Sequence, residues 1–197
     1  MVFENENAVV PEGLVTDRFL IRRLSETDVE LDYAAVMDSR EMLRTWEQST
    51  WPADAFTRAD NLKDLQRHER EHFSKISFTY TVMNPAETEC LGCIYIYPRT
   101  TSWLARSEAT PIGDKVWSDY EAVIRFWVRQ SRLAEGMGRE LLDVLRPWFA
   151  QEWDFDGHLF HTSEKFAQQI ATWEGAGLQR QFEIKDPKEP EKDLAYI

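Results

Sequence analysis

Arg132 to Leu142 reads RLAEGMGRELL, and it follows the strongest strand-like stretch of the chain, Glu121 to Arg129 (EAVIRFWVR). The first segment has the branched and aromatic residues of a strand. The second opens a helix whose Leu141, Leu142, Leu145 and Phe149 share one face at helical spacing. Between them sits Glu135-Gly136-Met137-Gly138. A strand-to-helix junction exposes unpaired backbone N–H groups and the positive end of the helix dipole. Glycines let the backbone close on an anion, so the junction predicts a phosphate seat. The Walker pattern is excluded because neither glycine is followed by Lys. The dinucleotide pattern is excluded because residue 141 is Leu where the third glycine belongs.

Elements on either side extend the pattern. Residues 1–14 suggest an arm or weak leading strand. Arg18 to Leu24 is the next expected strand, and Ser25 with Asp28 fits a helix N-cap. Val29, Tyr33, Val36 and Met37 then recur at helical spacing. The stretch with Trp46, Trp51 and Pro52 reads as a loop, and Thr57 caps a second helix running to about Ile76. Ser77 to Met83 and Leu91 to Tyr97 form an expected hairpin around Asn84-Pro85. Residues 98–118 read as a long connection. After the helix from Arg139 to about Trp153, where Pro147 predicts a kink or early end, come a strand at His158 to Thr162 and a helix at Lys165 to Glu174. That helix closes on Gly175-Ala-Gly177. Strands at Leu178 to Ile184 and Asp193 to Ile197 flank a charged turn. The order predicts one α/β domain over 1–197: a mixed sheet of about seven strands, with about four helices on both faces.

Composition bounds function. The 197 residues are 43% hydrophobic and carry a formal net charge of −12, which suits a cored domain and lacks the basic footprint of a nucleic-acid binder. The charge repels anionic membranes and attracts cationic substrates such as amines. No apolar run approaches the roughly 18 residues of a membrane span, and the amino terminus lacks a secretory pattern, so a cytoplasmic location is expected. Cys90 and Cys93 have redox or zinc spacing, but they open a strand-like run, where an odd separation should send the thiols to opposite faces. His68-Glu69-Arg70-Glu71-His72 matches the zincin pattern letter for letter. Its highly charged surroundings favour a solvated helix face, and no metal is expected.

The ordered set of segments resembles the GNAT superfamily of acyl-CoA N-acyltransferases, over about Thr16 to Ile197. The coenzyme A motif, Gln/Arg-x-x-Gly-x-Gly/Ala, is similar to Leu133-Ala-Glu-Gly136-Met-Gly138. Phe126 to Val128 resembles the family's fourth strand, and TWEGAGLQRQF (Thr172 to Phe182) resembles the end of its last helix. TDRFLIRRLSETD (Thr16 to Asp28) is similar to the opening of members near the ribosomal-protein acetyltransferases. The resemblance implies a mostly antiparallel sheet and acetyl-CoA as cosubstrate. It implies a direct transfer to a primary amine of a small molecule or protein, within a ternary complex. Coenzyme A would be held by Trp127, Val128, Arg129, Leu133, Ala134, Glu135, Gly136, Met137, Gly138 and Arg139. Several family positions differ. Leu133 replaces Gln or Arg, so Arg132 or Arg139 would supply charge. Val123 stands where many members carry a Glu base, which makes Glu121 the first candidate and His161 the second. Trp173 replaces a Tyr, and Phe166 an Asn. Trp46, Trp51, Trp103 and Trp117 are candidates for the acceptor pocket. Exposed aromatics are compatible with a homodimer. These substitutions also fit a second expectation, a GNAT-fold coenzyme A-binding sensor or scaffold without turnover.

Overall fold

A computed structural model describes residue 3 and residues 9–197. Most of the expected arm therefore lies outside the described residues. In chain order come β1 (Gly13–Val15), β2 (Leu20–Arg23), a 3-10 turn (Glu26–Asp28), α1 (Val29–Asp38), α2 (Arg40–Glu47) and α3 (Arg58–Phe73). Next are β3 (Phe78–Met83), β4 (Cys90–Pro98), α4 (Ser102–Arg106), β5 (Glu108–Pro111) and β6 (Ala122–Val128). The chain ends with α5 (Gln130–Leu133), α6 (Met137–Glu152), β7 (His158–Ser163), α7 (Ala167–Gly175), β8 (Arg180–Lys185) and β9 (Asp193–Tyr196).

The nine strands of the described residues join one sheet in the order β1-β2-β3-β4-β6-β7-β9-β8-β5. Every pairing is antiparallel except β6 with β7. The expected mixed sheet is present, with two more strands than the sequence suggested. β1 is three residues long and β5 lies inside the aperiodic 98–118 connection, so neither is long enough to show a period. The Trp46 segment is the helix α2 rather than a loop.

β6 is buried at all seven positions. A strand covered on both faces reads as a continuous apolar run, which explains its strong sequence signal. Ile124, Phe126 and Val128 face α6 and α7, packing with Leu141, Leu145, Phe149 and Trp173. Trp127 faces the other way, against Leu43, Trp46 and Leu65 of α2 and α3. Each such large apolar side chain contributes roughly 1.5–3 kcal/mol on burial.

Local rules set the helix ends. Ser25 and Asp28 form a capping box, and so do Thr57 and Asp60. α7 stops in a Schellman motif: the Leu178 amide donates to the Trp173 carbonyl and that of Gly177, at φ 84°, to Glu174. α6 does not end at Pro147 but continues to Glu152.

The cysteines correct one expectation. Thr81 pairs with Cys93, Val82 with Gly92 and Met83 with Cys90, so Leu91 has no partner. This β-bulge shifts the side-chain phase by one residue. Both thiols therefore reach the same face, and with the Asp32 carboxylate they lie within 4.8 Å of one another. Both are free and buried. Gly92 is required at the bulge, because a Cβ there would sit 2.1 Å from the Trp127 carbonyl oxygen.

Asp32, on α1, accepts from Asn61 Nδ2 (2.9 Å) and from Cys93 Sγ (3.4 Å). Burial pushes its carboxyl up to about 6, against the opposing hydrogen bonds from Asn61 and Cys93. The folded state thus holds the proton more tightly than the unfolded chain. The stability this confers is present below about pH 4 and is lost as pH rises through about 6. Asp32→Asn keeps the hydrogen-bonding shape without the charge. It should raise stability by on the order of 2–3 kcal/mol at pH 8 and far less at pH 4. Urea unfolding of both proteins at the two pH values measures the difference.

Candidate functional site: a split sheet between a glycine cradle and an aromatic cavity

The parallel ladder between β6 and β7 is short. It pairs Ala122 with His158, Val123 with Leu159 and Ile124 with Phe160, then stops. Beyond it the strands diverge. Gln169 of α7 bridges the gap: Thr162 Oγ1 donates to its Oε1 (2.5 Å), and its Nε2 donates to the Phe126 carbonyl (2.9 Å).

Hydrogen-bond alternation decides which backbone groups face this gap. The Arg129 amide donates to Leu91 on β4 (2.7 Å). In an antiparallel pair, alternate residues turn both peptide groups to the same neighbour. Trp127 and Arg129 therefore turn theirs to β4, and Val128 turns its N–H and C=O to the side that β7 has left. Of the three expected coenzyme contacts on this strand, only Val128 presents its backbone to the gap. The Trp127 side chain is buried on the opposite face, where Nε1 donates to Tyr95 Oη (3.3 Å).

The glycine junction adjoins the gap. α5 is a single turn, and Ala134, Glu135 and Gly136 are exposed. Gly136 caps α6 at φ 80°, ψ 7°, with open space where a Cβ would lie. The Arg139 and Glu140 amides both donate to its carbonyl. The amides of Met137 and Gly138 remain as first-turn donors. A narrow cavity of about 60 Å³ runs from Gly136 and Gly138 past Leu133 and Val128 to Gln169 and Trp173. The arginines here are ion-paired, and Arg139 also lines the cavity. Arg132 forms a fork with Glu89 and also binds Glu135; Arg139 binds Asp143; Arg129 binds Asp38 and Glu89. Leu133, at the departed motif position, packs into the cores on both sides of the sheet.

On the opposite face lies a cavity of about 560 Å³. Its floor is Arg125, whose guanidinium stacks 4.2 Å from the Trp46 ring and 5.7 Å from that of Trp103. Arg125 Nη1 is 3.1 Å from Glu47, and Nη2 donates to the Trp46 carbonyl. Asp193, Glu71, Asp186 and Glu189 join the walls. A neighbouring space of about 240 Å³ holds Trp46, Trp51, Asp64 and Tyr95, and shares Glu47, Arg67 and Tyr97 with the first. Of the four tryptophans expected at an acceptor pocket, Trp103 lines the larger cavity and Trp46 and Trp51 the smaller, with Trp46 and Trp103 both over Arg125. Trp117 lines neither: it packs 5.3 Å from the Phe182 ring at the far edge of the sheet.

Two further expectations are corrected. Glu121 precedes β6 at the end remote from the gap, about 23 Å from Val128 at the rise of a strand. Its carboxylate accepts from the Asp156 amide (3.4 Å), and it lines neither cavity, so it is out of reach of the gap as a base. His161 is on the expected face but fully buried behind the cavity wall. Burial, with Arg125 adding to it, holds its imidazole well below its ordinary range. Asp193 is the wall residue that sequence reasoning missed. It sat in an unremarkable last strand, and only the β7–β9 pairing carries it to the centre.

The zincin-like pair has another use. His68 and His72 both turn Nδ1 to Thr79 of β3, and burial lowers them to about 3 and about 4. They fasten α3 to the sheet, so this helix face is packed rather than solvated. Neither histidine belongs to a metal-compatible cluster among the described residues.

No protein-family model matches the sequence, and neither does any curated protein. Solved structures do match. RimL, a ribosomal L7/L12 alpha-N-protein acetyltransferase in complex with coenzyme A, superposes with TM-score 0.67 at 14% identity, over 93% of this chain and 94% of that one. The ribosomal-protein-S5-alanine acetyltransferase of Vibrio fischeri gives 0.65 at 14%, over 93% and 94%. MccE, the microcin C7 self-immunity acetyltransferase in complex with acetyl-CoA and AMP, gives 0.66 at 11%, over 95% and 96%. The chain therefore has the GNAT fold over nearly its whole length.

The Gln169 bridge should be structural. Gln169→Leu leaves Thr162 Oγ1 and the Phe126 carbonyl buried without partners, which costs about 1–3 kcal/mol per group. A loss of at least 1 kcal/mol in urea unfolding is expected, and an unchanged midpoint would show that the gap is held otherwise.

Proposed function

We propose that the protein is an acyl-CoA-dependent N-acetyltransferase acting on a cationic primary amine. One observation carries the reading. The glycine cradle, the unpaired side of Val128 and the narrow cavity form one path into the β6–β7 gap, and the 560 Å³ cavity lies on the gap's other face. Two ligands entering from opposite faces would meet in the gap.

Acetyl-CoA supplies the activated acetyl group. The amides of Met137 and Gly138, at the positive end of α6, would take the pyrophosphate. The Val128 backbone would align the pantetheine arm and donate to the thioester carbonyl, where negative charge develops. Most of the acceleration would come from holding amine and thioester in line. The acceptor cavity has five carboxylates, Glu47, Glu71, Asp186, Glu189 and Asp193, against three arginines, Arg67, Arg106 and Arg125. That excess favours an ammonium ligand. A protein amino terminus, such as the N-terminal serine that one ribosomal-protein acetyltransferase neighbour modifies, and a small-molecule amine are both within this chemistry. None of the described helices is long and apolar enough to cross a membrane.

A binding module without turnover is the second reading. It is favoured by Trp173, which is buried where a tyrosine acid would stand. Acetyl-CoA should raise the melting temperature, and thiol release with an amine separates the two readings. Gly136→Asp should fold normally, since Asp tolerates the left-handed region and the site is open. Its carboxylate beside the pyrophosphate should abolish the acetyl-CoA shift. An undiminished shift would place the cradle elsewhere.

A further inference from the structure

Three adjacent strands each send one side chain to the closed end of the gap on the acceptor face. Arg125 and His161 are the first residues beyond the last pair of the parallel ladder, Ile124 with Phe160. Asp193 comes from β9. His161 pairs with Ala195, so Asp193 is its diagonal neighbour on the same face, with Oδ2 3.5 Å from His161 Nε2. Asp193 lines the cavity; His161 lies behind it, covered by the Trp103 ring at 5.2 Å. Neither imidazole nitrogen has a hydrogen-bond partner among the described residues. Only one oxygen of Asp193 is held firmly, Oδ1, which accepts from Gln48 Nε2 at 2.8 Å.

We propose that Asp193 is the proton acceptor of the transfer reaction. The inference rests on the acetyltransferase reading and adds the residue that makes the amine nucleophilic. The acceptor enters as R–NH3+ and gives one proton to an Asp193 oxygen. Its lone pair then forms the C–N bond to the thioester carbon as the C–S bond breaks. The second nitrogen proton leaves with the thiolate as coenzyme A thiol, and Asp193 returns its proton to water in the open cavity. Acetyl-CoA and R–NH3+ thus give the amide, the thiol and one proton.

The surroundings suit the role. Arg125 faces Asp193 from β6 and His161 from β7, while Gln48 and Glu47 approach from the end of α2 and Glu189 from the preceding turn. The Arg106–Asp186 pair closes the same cavity, and β8 presents the apolar Ile184. Burial lifts the Asp193 carboxyl to about 6, against Arg125 and the Gln48 hydrogen bond. It is therefore ionised at neutral pH yet basic enough to hold a proton in transit.

The test uses the full chain, with acetyl-CoA and a panel of polyamines, aminoglycosides and peptides with free amino termini. Thiol release and the acetyl-CoA thermal shift are both read. The wild type should show an acid limb in kcat/KM near pH 6. Asp193→Asn should keep the thermal shift, lose about 100-fold in kcat and lose that limb, and Asp193→Glu should recover part of the rate. Turnover within threefold of wild type with the limb intact overturns the proposal. If Asp193→Asn does not fold, Gln48→Gly decides. Glycine suits φ 54° there, and removing the hydrogen bond should move the limb to higher pH; an unmoved limb overturns the assignment. A wild type with no acetyl-CoA shift and no thiol release overturns the acetyltransferase reading, and this proposal with it. A shift without turnover of any amine rejects Asp193 as a catalytic group while leaving the cradle in place.

Discussion

The parallel ladder between β6 and β7 ends after three pairs, and the site is built around that ending. A strand whose neighbour departs has backbone groups that must find other partners, because a buried unpaired carbonyl costs as much as a lost hydrogen bond. Gln169 satisfies one of them, the Phe126 carbonyl, and at the same time ties α7 to Thr162 on the departing strand. The next outward-facing groups belong to Val128, which meets the end of the glycine cavity. The gap is thus a wedge held open at a fixed width by one side chain. Its closed end lies where Arg125 and His161 begin to face each other across the strands.

The proposed cradle would take its anion in an acidic chain, beside arginines that are already ion-paired among the described residues. Arg129, Arg132 and Arg139 are each matched to a carboxylate. An anion at the proposed seat would meet backbone donors and the helix dipole, which carry no desolvation cost for a side-chain charge and need no rotamer to be ordered. Leu133 packs its apolar body against the cores on both faces of the sheet and so ties α5 to them.

Much of this was legible in the residues. β6 announced itself because both of its faces are covered, and α1 and α3 announced their starts through Ser25 and Thr57. The cradle was legible because it is local: a strand, a glycine pair and a helix in one run of sequence. What escaped depends on pairings across the chain. The bulge at Leu91 turned two thiols expected to diverge onto one face. Glu121 matched a motif position to within two residues, yet the strand carries it to the wrong end of the sheet. Trp117 has the composition of a pocket residue and the address of an edge. Asp193 carries no local signal at all, since its role depends on β9 inserting between β7 and β8.

Buried ionisable groups collect on one face of this sheet. Asp32, His68, Arg125, His161 and Asp193 are all buried beside the aromatic cavities, whereas the face under α6 and α7 is almost wholly apolar. Burying such groups is costly unless they are partnered. Those away from the gap are partnered: Asp32 by Asn61 and Cys93, His68 by Thr79. Those at the gap are partnered incompletely. Arg125 Nε and both nitrogens of His161 lack any hydrogen bond among the described residues. The contrast distinguishes two uses of buried polarity in one fold. Beside α1 and α3, Asp32 and His68 are hydrogen-bonded and fix the packing of those helices. At the closed end of the wedge, Arg125 Nε and both nitrogens of His161 stand unmet beside Asp193, where the aromatic cavity reaches the end of the parallel ladder.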